Sequence, residues 1–313
     1  MDKLIVSTSP HIRHKATTTS IMRDVIIALM PASVAAVVFF GFKAALMIAV
    51  CVGCAVISEF LFNLICKKKQ TVGDLSAIVT GLLLALNLST NVTLWQCAVG
   101  SVFAIVVVKC LFGGIGHNFA NPAITARVFL LVAFSGSVAG GAFANFAEIT
   151  SSATPLAVMQ AGGTNLPSLL HMFLGNIGGA IGETSALAIL IGFIYLLIRR
   201  IIGWQTPVIF VGTVFVLSLI VKQDLTYAVY QVLGGGLLLG AVFMATDYST
   251  TPINKLGKAV FALGCGIFTV LIRTFGAYPE GVSFAILFMN ILAPYIERLC
   301  AKRPFGGIKN AKK

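Results

Sequence analysis

The chain has 313 residues, 58% of them hydrophobic and only 10% charged, and its mean hydropathy is +0.98. A soluble globular domain carries about 25% charged residues, so this composition excludes that class and points to an integral membrane protein. The net charge of +12 is scattered through short polar breaks rather than gathered in one block, which argues for membrane topology and against a nucleic-acid partner.

Residues 1–23 are polar and include Arg13 and Lys15, so we expect a cytoplasmic N-terminal segment without a cleavable signal peptide. A helix needs about 20 apolar residues to cross the bilayer core. On that criterion we predict ten spans, near 24–40, 44–66, 74–89, 94–112, 122–142, 183–198, 205–221, 226–244, 257–275 and 281–297. The expected fold is therefore an all-α polytopic membrane protein. Its parts are a first five-helix unit (24–142), a loop (143–182), a second five-helix unit (183–298) and a basic cytoplasmic tail (299–313).

With the N-terminus cytoplasmic, the 22 Lys and Arg divide 19 to 3, and only Lys43, Lys222 and Arg273 fall outside. The positive-inside rule predicts this bias, with the cationic residues lying at the lipid headgroups. Both termini are then cytoplasmic, and the 143–182 loop lies on the extracytoplasmic side.

The chain also reads as duplicated. GLLLALNLST at 81–90 is similar to GLLLGAVFMATDYST at 236–250, and the two copies lie five spans apart. An odd number of spans per copy inverts the second copy relative to the first, which predicts two inverted five-helix repeats. The breaks between spans are glycine-rich. In GGIGHNFANPAITAR (113–127), Asn121 is a candidate N-cap and Pro122 the first helical residue. In GNIGGAIGETS (175–185), Glu183 and Thr184 are expected in the first turn of the sixth span. Such helix starts either pack closely through small residues or face an anion, and in the latter case we expect both to flank the 143–182 loop.

Charge inside the membrane marks further candidates. Glu59 lies within the second span, where a lone carboxylate costs about 2.5–3.5 kcal/mol, so protonation or a partner in a neighbouring subunit is expected. Asp247 and Glu297 are expected at cytoplasmic span ends. Of the seven Cys, Cys51 and Cys54 have CxxC spacing inside a span, but no second pair completes four thiolates. We expect the Cys to act as packing residues, with a cluster shared with another chain as the alternative. The four His show no metal-ligand spacing, and neither a P-loop nor a serine triad is present, so no metal site and no catalytic residue is assigned.

Within the loop stands Glu148-Ile-Thr-Ser151-Ser152-Ala153-Thr154-Pro155-Leu156. It resembles the Asp-x-x-Ser/Thr-Gly-Ala-Thr signature at which a flavin transferase attaches FMN to threonine through a phosphoester bond. Together with GGIGHNFANPA and YPEGVSFAILFMNILAPYIER (278–298), it is similar to one family over essentially the whole chain. That family is the D subunits of Rnf ferredoxin:NAD oxidoreductase complexes, whose sisters are the B subunits of sodium-translocating NADH:quinone reductases. Ser152 replaces the usual Gly and Glu148 the usual Asp.

The resemblance implies covalent FMN on Thr154, with Ser151, Ser152, Ala153 and Pro155 around it. It also implies a second flavin, riboflavin, held between the helices, and electron relay while Na⁺ or H⁺ moves outward through a bacterial cytoplasmic membrane. The implied partners are the A, B, C, E and G subunits of Rnf, together with the flavin transferase. It further implies that acidic residues such as Asp247 and Glu297 help a cation enter, and Glu59 joins them as an ion-pathway candidate on its intramembrane charge. Two rivals remain: a flavin-free inverted-repeat channel or carrier, and the quinone-reductase sister, which has a longer extension before its first span.

Overall fold

The computed structural model describes residues 16–138, 141–145, 148–152, 154–163, 166–276 and 280–301, with backbone alone for 141–152. Helix α1 (Thr18–Ile65) has 48 residues and bends at Gly41, where φ is 69°. The first two predicted spans are its two arms. It starts earlier than expected because Thr17 and Ser20 form a reciprocal capping box that satisfies the first free N–H groups.

Next come α2 (Ser76–Leu86), α3 (Leu94–Val102, continued as a π-helix over Phe103–Cys110), α4 (Pro122–Ala133) and α5 (Ser135–Val138). Strands β1 (Gly141–Asn145) and β2 (Glu148–Ser152) pair antiparallel, Gly141 opposite Ser152 and Asn145 opposite Glu148. Short helices α6 (Pro155–Gln160) and α7 (Leu169–Leu174) lead to α8 (Ala186–Ile198) and α9 (Gln205–Lys222). The broken pair α10 (Leu225–Leu233) and α11 (Leu237–Leu239, continued as a π-helix over Gly240–Met244) precedes α12 (Lys255–Phe275) and α13 (Val282–Leu299).

Every predicted span contains helix, and the chain is an all-α polytopic membrane protein. Several spans are shorter than expected, however. Among the described residues, four helices are long and apolar enough to cross a membrane, or five if the α10–α11 pair, bent by 60°, is one span. The 11 residues of α2 reach about 16 Å at about 1.5 Å per residue, roughly half of a 30 Å core. The fifth span ends at Ala133 rather than 142, and the chain then turns into the β-hairpin. The sixth begins at Ala186, with Ser185 as its cap, so Glu183 and Thr184 precede the helix rather than opening it.

The duplication extends beyond the matching strings. A shift of 160 residues carries Asn87-Leu-Ser-Thr90 onto Asp247-Tyr-Ser-Thr250, and the start of α4 at Pro122 onto the start of α13 at Val282. Both broken segments begin on left-handed backbone, Leu75 before α2 and Gly236 before α11, each with φ 66°. The halves meet through α1 and α8. There Gly192 faces the Ala28 carbonyl so closely that a Cβ would overlap it, and Asp24 pairs with Arg199 at 3.0 Å and accepts from Tyr195 at 3.0 Å.

Candidate functional site

A half-helix that ends inside a membrane leaves carbonyls without partners, and there every backbone polar group must be satisfied internally. At the end of α2 the 176–185 segment meets this need. Gly182 N–H donates to the Leu86 carbonyl at 2.9 Å, and Ile181 N–H to the Leu88 carbonyl at 3.0 Å. Position 182 has to be glycine, because a Cβ there would lie 2.9 Å from that same Leu86 oxygen. The Asn87 amide donates to the Leu83 carbonyl at 2.7 Å and its oxygen accepts from Arg127 at 2.9 Å. Arg127 also donates to Ser283 at 3.1 Å and pairs with Glu280. It is therefore a buried cross-link rather than a headgroup cation. Glu183 accepts from Ala180 N–H at 3.1 Å and keeps one buried oxygen unpartnered.

The break between α10 and α11 is satisfied by a side chain instead. Arg273 donates to the carbonyls of Gln231, Gly234 and Gly235 and to the Gln231 side chain, so one guanidinium closes the helix end. It too is buried, although sequence placed it at the outer surface. The Thr154 turn packs against this break. Strand β2 carries the backbone of Ser151 and Ser152, Ala153 lies outside the described residues, and Thr154 caps α6 by accepting from Ala157 N–H at 3.3 Å. Pro155 fills the first helical position, and Leu156 seats on Gly234, whose added Cβ would lie 3.2 Å from Leu156 Cγ. An added Cβ on Gly235 would overlap Leu156, and its φ of 66° independently favours glycine. Thr154 itself is only 5% exposed. Its hydroxyl serves as a buried helix cap.

A separate cavity of about 620 Å³ lies between the halves. Val79, Leu83, Leu196 and Phe243 supply apolar wall, while Asn118, Asn121, Asp247, Thr250, Asn290 and Glu297 supply polar groups. Asn121 caps α4 through Ala123 and Ile124 N–H, as its sequence context predicts. With its amide turned to satisfy both neighbours, Asn290 donates to the Thr250 carbonyl at 3.2 Å and accepts from Asn121 N–H at 3.1 Å. The Asn118 side-chain oxygen is buried without a partner. Asp247 accepts from Ser249 and Thr250, and burial raises its carboxyl from its ordinary value against the lowering effect of those bonds. Glu297 accepts from Ile253 N–H at 2.8 Å and from Asn254 at 2.9 Å, tying the 245–254 loop to α13.

Glu59 reaches this cavity through Lys109, which lines it. The ammonium lies 2.8 Å from Glu59 and also donates to Ser76, and Thr71 donates to the same carboxylate oxygen at 2.6 Å. The partner sought in another subunit is thus within the chain. The structure gathers Asp247, Glu297 and, through Lys109, Glu59 on one side of the molecule. It does not bring both glycine-rich helix starts to Thr154, because 113–121 borders the cavity while 176–185 docks on α2. Sequence reading missed Lys109, Arg127 and Arg273 as buried charges, although an acid and a base in neighbouring spans are themselves a signal of pairing. Cys51 abuts Gly81, where an added Cβ would lie 2.8 Å from the Cys51 oxygen, and no metal-holding group of three or more His, Cys, Asp or Glu occurs among the described residues.

Comparison with known proteins finds relatives over almost the whole chain. A protein of Acetobacterium woodii, named as the D subunit of a Na(+)-translocating ferredoxin:NAD(+) oxidoreductase complex, is 47% identical over 312 residues, covering 99% of this chain and 97% of the relative. A Clostridium ljungdahlii protein named as the proton-translocating counterpart is 36% identical, covering 96% of both chains. A Methanosarcina acetivorans protein, named as the D subunit of an ion-translocating oxidoreductase complex, is 33% identical, covering 99% of this chain and 100% of the relative. The model of the NQR2, RnfD, RnfE family matches residues 5–306, and the chain belongs to that family.

Proposed function

We propose that the chain is a membrane subunit of an Rnf-type ion-translocating ferredoxin:NAD⁺ oxidoreductase, relaying electrons between subunits that themselves bind ferredoxin and NAD. What carries this reading is likeness over almost the whole length to proteins named as D subunits of such complexes, at 47% identity for the Acetobacterium woodii protein. The proposed electron carrier is FMN, joined to Thr154 by a flavin transferase, with β2, Pro155 and α6 as its anchor. Such a flavin supplies one-electron redox chemistry that no side chain here offers. Both termini are taken as cytoplasmic and Thr154 as extracytoplasmic, a placement supported by the Lys and Arg asymmetry.

The cavity between the halves suits the second flavin, riboflavin. Its 620 Å³ falls within the roughly 300–1,000 Å³ typical of ligand sites, and the orphaned Asn118 oxygen offers an acceptor to a polar ring edge. Asp247 and Glu297 on the same cavity, with Glu59 behind Lys109, are proposed to serve outward movement of Na⁺ or H⁺. The test is in-gel fluorescence of the denatured protein from cells that hold the transferase. Wild type is expected to fluoresce and Thr154→Ala to be dark. A dark wild type overturns the flavin assignment, and a fluorescent mutant moves the attachment elsewhere.

A further inference from the structure

Resting on that flavin reading, we infer that Thr154 accepts its flavin before α6 docks on the α10–α11 break, and that Leu156 is the latch that afterwards closes the site. Transfer requires the Thr154 oxygen to attack the phosphorus of a flavin dinucleotide. The new bond is Oγ1–P, the pyrophosphate bond breaks, AMP leaves, and the hydroxyl proton passes to a base of the transferase. An attacking oxygen needs a clear line to phosphorus. In the folded chain the threonine is 5% exposed and its oxygen is engaged by Ala157 N–H.

Three contacts hold it there. Leu156, 3% exposed, fills the space over Gly234 and Gly235. Gly235 is held in turn by Arg273. At the other end of α6, Gln160 donates to the Gly276 carbonyl at 2.8 Å. Glu148–Ser152 are extended in β2, while the acceptor itself is folded away. A transferase therefore reaches the hydroxyl only when the six residues of α6 swing off the break. When opening is faster than transfer, the labelling rate follows the open population.

The experiment uses the full chain made without transferase, purified in detergent, then given transferase, flavin adenine dinucleotide and Mg²⁺, with flavin fluorescence read over time. Leu156→Ala is expected to raise the initial rate by about tenfold or more, since large-to-small changes at a packed site weaken docking strongly. Leu156→Cys combined with Gly234→Cys supplies a lock. The near contact of Leu156 with a Cβ at 234 suits a disulfide. The oxidised pair is expected to label at under about a tenth of its reduced rate, with reductant restoring labelling. Equal rates in wild type and Leu156→Ala, or a locked protein that labels as fast as the reduced one, overturn the latch while leaving the flavin on Thr154. Absence of label on Thr154 in every variant, including protein unfolded before the reaction, overturns the flavin reading and the latch with it.

Discussion

The Lys109 ammonium and the Glu59 carboxylate lie 2.8 Å apart in a site where they are 2% and 1% exposed, and 50 residues separate them in the chain. The π-helical stretch Phe103–Cys110 sets the facing of this lysine, and Ser76 at the start of α2 takes a second of its protons. Three elements, α1, α2 and α3, are thereby joined by one charge.

Breaking that pair from one side leaves a buried charge uncompensated. Lys109→Met is expected to cost about 3–5 kcal/mol, seen as a lower melting temperature in detergent. The double variant Glu59→Gln with Lys109→Met should recover most of the loss, because neutral partners bury cheaply. Losses that simply add would show that the two groups act independently.

Arg273 satisfies three backbone carbonyls at the α10–α11 break. Arg273→Gln is expected to destabilise by about 2–3 kcal/mol, as bonds from a charged donor are lost at a buried helix end. Hydrogen exchange should speed up locally over 228–240 and leave α9 unchanged. Uniform loss of protection over the whole chain would argue against a local role.

Two glycines should respond with opposite sign. Gly182→Ala places a methyl against Leu86 backbone and is expected to cost about 1–3 kcal/mol. Gly53 lies inside α1 with nothing within 4 Å of an added Cβ, so Gly53→Ala is expected to stabilise by about 0.5–1 kcal/mol. Thermal unfolding of the two variants decides it, and the same sign in both would refute the packing argument at 182.

The helical class and the places of the apolar segments were legible because apolar runs, punctuated by Gly, Pro and Asn, report directly on what must face lipid. Segment length was not. The run through Leu86, Asn87 and Leu88 stays apolar on both sides of the break, and only the arrival of Ile181 and Gly182 shows why the helix stops there. Arg127 and Arg273 were read as interfacial because a hydropathy pattern sees a cation near a span end without its partner. Asn121 was legible, since an N-cap followed by Pro is a local signal. Thr154 was recognisable as a motif, while the docking of α6 brings Leu156 to glycines nearly 80 residues away in sequence, a relation that no local pattern encodes.

The Gly192 contact with Ala28 bears on how the protein is made. At about 5–20 residues per second, a ribosome needs on the order of 10–30 s to add the roughly 160 residues between them. Through that interval α1 stands in the bilayer with its small-residue face and Asp24 lacking their α8 counterparts. The first half therefore waits for the second, and anything that shelters α1 during synthesis, lipid or chaperone, has to let go when α8 arrives.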